Sequence, residues 1–260
     1  MNDREKISVT ILTKDSSRYL GAVLTSLAAF PEVLLYDTGS KDETLSIAAS
    51  YPNVKVERGP FLGFGRTHDE ASKRASHDWI FSVDSDEIVT PELAKEILHL
   101  PLDRSSVYSV PRLNEYNGRV IRSCGWSPDR QLRLYNRKIT HFDGAQVHEK
   151  ISMKGMKEIP LRGALRHYSY SDVADFLKKM QLYSDLFAKE WKGKRKASPL
   201  TALGHAGFSF LKSYFLKRGF SSGYEGLIIS WYNAQTAFYK YLKLWEANRR
   251  TSSRCPEGQE

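Results

Sequence analysis

The sequence predicts an α/β fold: a mostly parallel sheet with flanking helices, followed by a helical C-terminal extension. Three observations carry this expectation. Short β-branched segments alternate with amphipathic ones through roughly the first hundred residues. The apolar segment Trp79-Ile80-Phe81-Ser82-Val83 runs directly into the acidic loop Asp84-Ser85-Asp86. Beyond residue 170, strand signals give way to helical spacing.

Ile7 to Leu12 is short and apolar and reads as the first strand. Leu20, Val23, Leu24, Leu27 and Ala28 recur at helical spacing, with Ser16 or Ser17 as N-cap. Val33 to Tyr36 is the second strand and leads into Asp37-Thr38-Gly39-Ser40. Ser40-Lys41-Asp42-Glu43 has the spacing of a capping box, which makes Asp42 and Glu43 helix-start residues. Val54 to Val56 is a third strand, Arg66 to Ser76 a helix, and Trp79 to Val83 the fourth strand. Thr90-Pro91-Glu92 supplies an N-cap followed by proline at the first helical position.

From about Leu102 the pattern changes. Val107 to Val110, Gln131 to Tyr135 and the stretch around Ile151 read as strands of a mixed or antiparallel extension. Val173, Phe176, Leu177, Met180, Tyr183, Leu186 and Phe187 then mark one face of a long helix, expected to pack on the core. No internal repeat is found, and the last ten residues are polar.

At 260 residues and 41% hydrophobic, the chain can bury a full core in one large domain or in one domain with an appendage. Two cysteines, Cys124 and Cys255, exclude a disulfide framework, show no zinc-ligand spacing and point to a reducing compartment. The N-terminus reads as polar and without a signal peptide, and no apolar run approaches the roughly 18 residues of a membrane span. The expectation is a cytoplasmic protein. Its formal charge of +9 calls for an acidic partner: nucleic acid, an anionic membrane or phosphorylated substrates.

Much of that charge is local. Trp191 to Tyr224 holds Lys192, Lys194, Arg195, Lys196, Lys212, Lys217 and Arg218 without one acid, interleaved with Phe208, Phe210, Leu211, Tyr214, Phe215 and Leu216. Cations beside aromatic and aliphatic side chains suit the surface of an anionic membrane, with a solvated basic helix as the alternative.

Ligands of open α/β sheets bind outside the carboxyl ends of the strands. An Asp-x-Asp pair at such a strand end suits a hard divalent cation that arrives with phosphates. Asp37, at the end of the second strand, can accept N–H groups of a nucleobase. In Gly63-Phe64-Gly65-Arg66, the glycines permit close backbone approach and Arg66 can neutralise a diphosphate. That segment matches neither the dinucleotide fingerprint nor the P-loop. Gly125-Trp126-Ser127-Pro128-Asp129-Arg130 offers Trp126 as a stacking platform and Asp129 as a general base, or as a surface ion pair with Arg130. Val147-His148-Glu149 offers an imidazole that can complete a metal shell. His167 is a weaker candidate.

Together these segments resemble the family 2 glycosyltransferases, inverting enzymes of the GT-A fold. The matching pieces are Ile7 to Lys14, Tyr36 to Thr44, Gly63-Phe64-Gly65 and Asp78 to Glu87. The stretch Gly125 to Tyr135, followed by Val147-His148-Glu149, is similar to the branch holding the lipopolysaccharide core β-glucosyltransferases. The resemblance covers almost the whole chain and implies a GT-A, Rossmann-like catalytic domain over residues 1–170. Within it, residues 1–100 would form the nucleotide-sugar half and 101–170 the acceptor half. A helical basic extension over 171–250 and a disordered tail over 251–260 would follow.

The resemblance further implies a metal-dependent transfer of a hexose, glucose from UDP-glucose, to a lipid-linked or lipopolysaccharide-core saccharide. Asp129 falls where the family carries its catalytic base. Asp86 would hold Mg²⁺ or Mn²⁺, with His148 completing the shell. Thr13, Asp37, Arg66, Asp84, Ser85 and Trp126 would contact the nucleotide sugar, Asp37 through the uracil-type base. The partners would be the donor, a saccharide or glycolipid acceptor and an anionic membrane, but no nucleic acid. The enzyme would then sit as a peripheral protein on the inner face of the plasma membrane.

Two departures from the family pattern bear on the donor: Thr38 stands where a second acid or polar residue is usual, and Lys14-Asp15-Ser16 replaces Lys-Asn-Glu. A sugar-nucleotide nucleotidyltransferase is the nearest alternative, but Thr13 to Arg18 lacks the glycine-rich loop expected after its first strand. A basic nucleic-acid-binding module is the non-enzymatic one.

Overall fold

The computed structural model describes residues 6–143 and 150–252. The chain divides into two compact units, Met1–Leu113 with Pro128–Tyr168, and Asn114–Ser127 with Ser169–Glu260.

In the first unit, the strands β1 (Ile7–Thr13), β2 (Glu32–Asp37), β3 (Val54–Arg58) and β4 (Trp79–Asp84) are parallel in the order β3-β2-β1-β4. All six residues of β2 are buried, as expected for a parallel strand covered on both faces, whereas the edge strand β3 is largely exposed. The helices α1 (Ser17–Ser26), α2 (Thr44–Ala49), α3 (Phe64–Arg74) and, after β5 (Glu87–Val89), α4 (Pro91–His99) complete this half.

Beyond β4 the sheet turns antiparallel. β8 (Arg130–Asn136) pairs with β4, and β6 (Ser106–Tyr116) pairs with β8. β9 (Lys157–Pro160) runs parallel to β6, and β10 (Leu165–Tyr170) pairs antiparallel with β5. One face of the sheet buries Val9, Ile11, Phe81 and Val83 against Leu20, Val23 and Leu24 of α1 and Leu93 and Ile97 of α4. The other buries Leu34, Tyr36, Ile80 and Tyr135 against Ala71 of α3 and Ala75. The α/β expectation is met, and its mixed extension falls where the sequence pattern changed.

Several local expectations are corrected. The Ser40–Glu43 capping box does not form: α2 begins at Thr44, and Ser40 turns its hydroxyl to Asp37. Asp42 starts the helix instead, accepting from the Thr44 backbone N–H at 3.0 Å, and it also accepts from the Ser17 N–H at 3.0 Å where α1 begins. Neither Ser16 nor Ser17 caps α1 with its side chain, because Asp42 serves that end from another element. Thr90 caps α4 as foreseen, with Pro91 at the first helical position. Ile151 makes only an isolated bridge to Phe142, too short to be a strand.

The second unit opens with the end of β6, which pairs with β7 (Arg119–Val120) across Asn117-Gly118. Both turn residues have positive φ, 53° and 72°, as a tight hairpin turn requires. Helices follow: α5 (Val173–Trp191), α6 (Pro199–Leu211), a π-helical turn Lys212–Leu216, a 3₁₀ turn Gly219–Ser222 and α7 (Gly223–Ser252). The helical C-terminal extension is therefore present. Its core joins Tyr116, Ile121 and Phe176 to Ile229 and Tyr232, with Trp126, Tyr170 and Met180 packed against them.

α5 exists as predicted, but its buried line differs from the expected stripe. Phe176, Ser184 and Ala188 are buried, while Val173, Leu177, Tyr183 and Leu186 are exposed. The inward line steps by four residues and includes small side chains that let α7 approach. Lys243 of α7 donates to Ser184 Oγ at 2.8 Å and pairs with Asp185 at 2.7 Å.

Candidate active site

Parallel pairing of β2, β1 and β4 sets the site. Thr13 is in register with Asp37 on one side, and Leu12 with Asp84 on the other. The two aspartates therefore end at the same carboxyl edge of the sheet, flanking β1, about 10 Å apart across two strand spacings. This is the edge at which open α/β sheets bind ligands. α3, with Gly63 at φ 91° before it, starts beyond β3 on the same edge and carries Arg66, which is exposed.

Asp37 is buried, and its oxygens are engaged by its own turn. They accept from Gly39 N–H at 3.1 Å, from Ser40 N–H at 3.1 Å, from the Ser40 hydroxyl and from Thr13 Oγ1 at 3.3 Å. The carboxylate shapes the Asp37–Ser40 turn, with Thr13 as its neighbour.

Asp84-Ser85-Asp86 forms the turn between β4 and β5, and its two acids have different partners. Asp84 receives a bidentate pair from Arg133 of β8, at 3.2 and 2.5 Å. The same guanidinium donates to Glu87 Oε1 at 2.6 Å. Arg112 of β6 lies 3.5 Å from that Glu87 oxygen and donates through Nε to Asp129 Oδ2 at 2.8 Å. Gln131 donates to the other Asp129 oxygen at 2.7 Å. The result is an alternating chain, Asp84–Arg133–Glu87–Arg112–Asp129, that links the acidic turn to the candidate base. Asp129 thus pairs with Arg112 and not with Arg130, which donates to the backbone carbonyls of Ser109 and Leu161.

Burial dominates the electrostatics. Glu87 has no exposed surface, and desolvation pushes its carboxyl pKa up despite Arg133 and Arg112. Burial also works to raise Asp84, but the bidentate Arg133 outweighs it and holds that carboxyl well below the usual range. Behind them His68 of α3 is buried, stacked on Phe142 at 4.5 Å and 3.3 Å from Ser82 Oγ. Desolvation lowers its pKa to about 4, against the opposing field of Asp84.

Asp86 is 36% exposed, much as Asp84 is at 37%, but among the described residues it has no guanidinium on it; His167 Nε2 lies 3.5 Å from its carboxylate. His167 arrives because β10 pairs with β5 in the register His167↔Glu87, and Tyr168 N–H donates to the Asp86 carbonyl at 3.0 Å. A cation that travels with a diphosphate needs only one or two protein carboxylates, since phosphate oxygens and water complete its shell. Asp86 fits that description. Among the described residues, no group of three or more His, Cys, Asp and Glu is arranged to hold a metal.

His148 lies outside the described residues. Trp126, in the second unit, stacks on Tyr170 at 5.4 Å within that unit's aromatic core, so one ring face is already covered. Sequence reasoning missed Arg112, Arg133 and Glu87. The signal was Arg133, a charge set between Leu132 and Leu134 in a strand pattern, and Glu87 directly following the acidic motif.

The glycosyl transferase family 2 model matches residues 8–156. An uncharacterized glycosyltransferase of Rickettsia typhi is 28% identical, over 95% of this chain and 89% of that protein. The lipopolysaccharide core biosynthesis glycosyltransferase LpsC of Rhizobium meliloti is 27% identical, over 92% of each. The crystal structure of Staphylococcus aureus TarS 1–349 is similar with a TM-score of 0.47 at 19% identity, covering 95% of this chain and 92% of that one. The family match spans the parallel sheet, the acidic turn and the strand carrying Arg133, and the chain belongs to glycosyl transferase family 2: it is a glycosyltransferase.

Proposed function

We propose that the enzyme transfers a hexose, glucose from UDP-glucose, with inversion onto a lipid-linked or lipopolysaccharide-core saccharide. The observation that carries this reading is the alternating chain from Asp84 to Asp129, which ties an acidic turn at the ligand edge to a carboxylate suited to proton abstraction. The likeness to LpsC supports the acceptor class.

In this mechanism the Asp37 turn and Thr13 receive the nucleoside, with Arg66 and Ser85 facing the diphosphate. Asp86 and a histidine, His167 or His148, would hold Mg²⁺ or Mn²⁺. A bound cation would neutralise the charge that builds on the departing diphosphate. Asp129, oriented by Arg112 and Gln131, accepts the proton of the acceptor hydroxyl as that oxygen attacks the anomeric carbon. Asp84, fixed by Arg133, keeps the turn in shape. Direct displacement requires no enzyme nucleophile.

The test is incubation of purified protein with a panel of nucleotide sugars and Mg²⁺ or Mn²⁺, measuring nucleoside diphosphate released. Release from UDP-glucose that EDTA abolishes is expected. Release that ignores EDTA would remove the metal from the account, and preference for another nucleotide sugar would replace the donor.

A further inference from the structure

The second unit exposes an apolar surface that its fold does not explain. α6 is Pro-Leu-Thr-Ala-Leu-Gly-His-Ala-Gly-Phe-Ser-Phe-Leu, and Ala202 is its one buried residue. Leu200 is 79% exposed and Phe208 61%; in the π-helical turn that follows, Leu216 is 73% exposed. A surface helix ordinarily turns polar residues outward, and α6 carries no Lys, Arg, Asp or Glu. Beside it, α6 and α7 line an apolar groove of about 660 Å³ with Leu203, Phe210, Leu211, Trp231, Phe238 and Tyr239.

Charge brackets this surface. Lys192, Lys194, Arg195 and Lys196 precede α6, and Lys212, Lys217 and Arg218 follow it, with no acid from Trp191 to Tyr224. Gly193, Lys194, Arg195, Lys196 and Asn248 line a second concavity of about 330 Å³. Asn248 shapes it by accepting from Gly193 N–H at 2.9 Å and donating to the Arg195 carbonyl at 2.9 Å.

We infer that this face docks on an anionic lipid bilayer, with α6 lying in the interface, its apolar side among the acyl chains and the flanking cations among the headgroups. The geometry favours lying over spanning. Thirteen residues make a helix about 20 Å long, well short of a bilayer crossing, and both ends carry cations that need the headgroup level. No helix among the described residues is long and apolar enough to cross a membrane. Charge also argues against a second copy of this chain as the occupant, since pairing two such faces would oppose seven cations to seven. The inference goes beyond the transfer reaction and holds whichever donor is used.

The experiment is cosedimentation of the full chain with phosphatidylcholine vesicles, with and without phosphatidylglycerol, at low and high salt. No sugar substrate is present, so failure here is distinct from failure of the transfer chemistry. Binding to anionic vesicles that weakens with salt is expected, with little binding to neutral ones. The combined change Lys194→Gln, Arg195→Gln and Lys196→Gln should weaken partition by on the order of 10- to 100-fold. Leu200→Ser with Phe208→Ser should abolish what binding survives in high salt, while thermal unfolding stays unchanged because both side chains are exposed. Wild type left in the supernatant with anionic vesicles, or variants that sediment as wild type does, would overturn the inference. So would a vesicle-free dimer that the Leu200 and Phe208 changes disrupt.

Discussion

Asp86 and Asp84 are separated by one residue and differ in what they can give to a ligand. Asp84 gives both oxygens to Arg133, whereas Asp86 lies beside His167. Asp86→Ala should therefore abolish metal-dependent donor turnover in a folded protein, a loss of several kcal/mol of transition-state stabilisation. Near-normal turnover would assign the cation elsewhere. Asp129→Asn keeps the shape and the contact with Arg112 but removes the proton acceptor. Transfer should drop by about 10² to 10⁴ with donor affinity retained; calorimetric titration of the nucleotide sugar, run beside the rate, separates this from a binding role. Arg133 is the structural counterpart. Replacing it with Met leaves Glu87 buried without its nearest cation, and loss of one partner of a buried pair costs about 3–5 kcal/mol. Urea denaturation should show the loss at pH 7 and a smaller one at pH 5, because Glu87, with its pKa already raised by burial, can then take up a proton. Equal stability of the two proteins at pH 7 would mean the network carries no weight in folding.

At the scale of elements, α3 is fastened to the sheet by a histidine that the fold keeps neutral. Below about pH 6.5 the unfolded chain protonates His68, whereas the folded chain, with a pKa of about 4, does not. Stability should fall as pH drops from about 6.5 to about 4, by roughly 3 kcal/mol from this group alone. Thermal unfolding across that window should show a shallower slope for His68→Phe, whose ring can still stack on Phe142; an unchanged slope would place the acid sensitivity on other groups. The elements themselves were readable to different degrees. β1, β2 and β4 are short runs rich in apolar and β-branched residues, and Thr90-Pro91 is a local cap, so both declared themselves. The capping box at Ser40 did not, because Asp37 competes for the Ser40 hydroxyl from a neighbouring strand end. Asn117-Gly118 is itself a strong local hairpin signal, both residues taking positive φ. The stripe on α5 misled because apolar residues lie on more than one side of that helix, and only packing against α7 selects the line through Ser184 and Ala188.

For the whole molecule, the family and the α/β architecture were legible from motif order alone, since Asp37 and Asp84 each close a strand and Asp86 follows in the turn. The site was legible only in its acids. Arg112 and Arg133 come from antiparallel strands whose pairing no local pattern specifies, and His167 reaches Asp86 through the register of β10 with β5. Long-range pairing also turned Asp129 from a neighbour of Arg130 into a partner of Arg112. The central claim is that a carboxylate deprotonates an acceptor which displaces the nucleotide in one step. It is tested most directly by following acceptor-free hydrolysis of UDP-glucose by proton NMR before the released sugar mutarotates. With water as acceptor and an α-linked donor, direct displacement predicts β-glucose as the first product, and its formation should vanish in Asp129→Asn. Initial release of α-glucose would contradict the account.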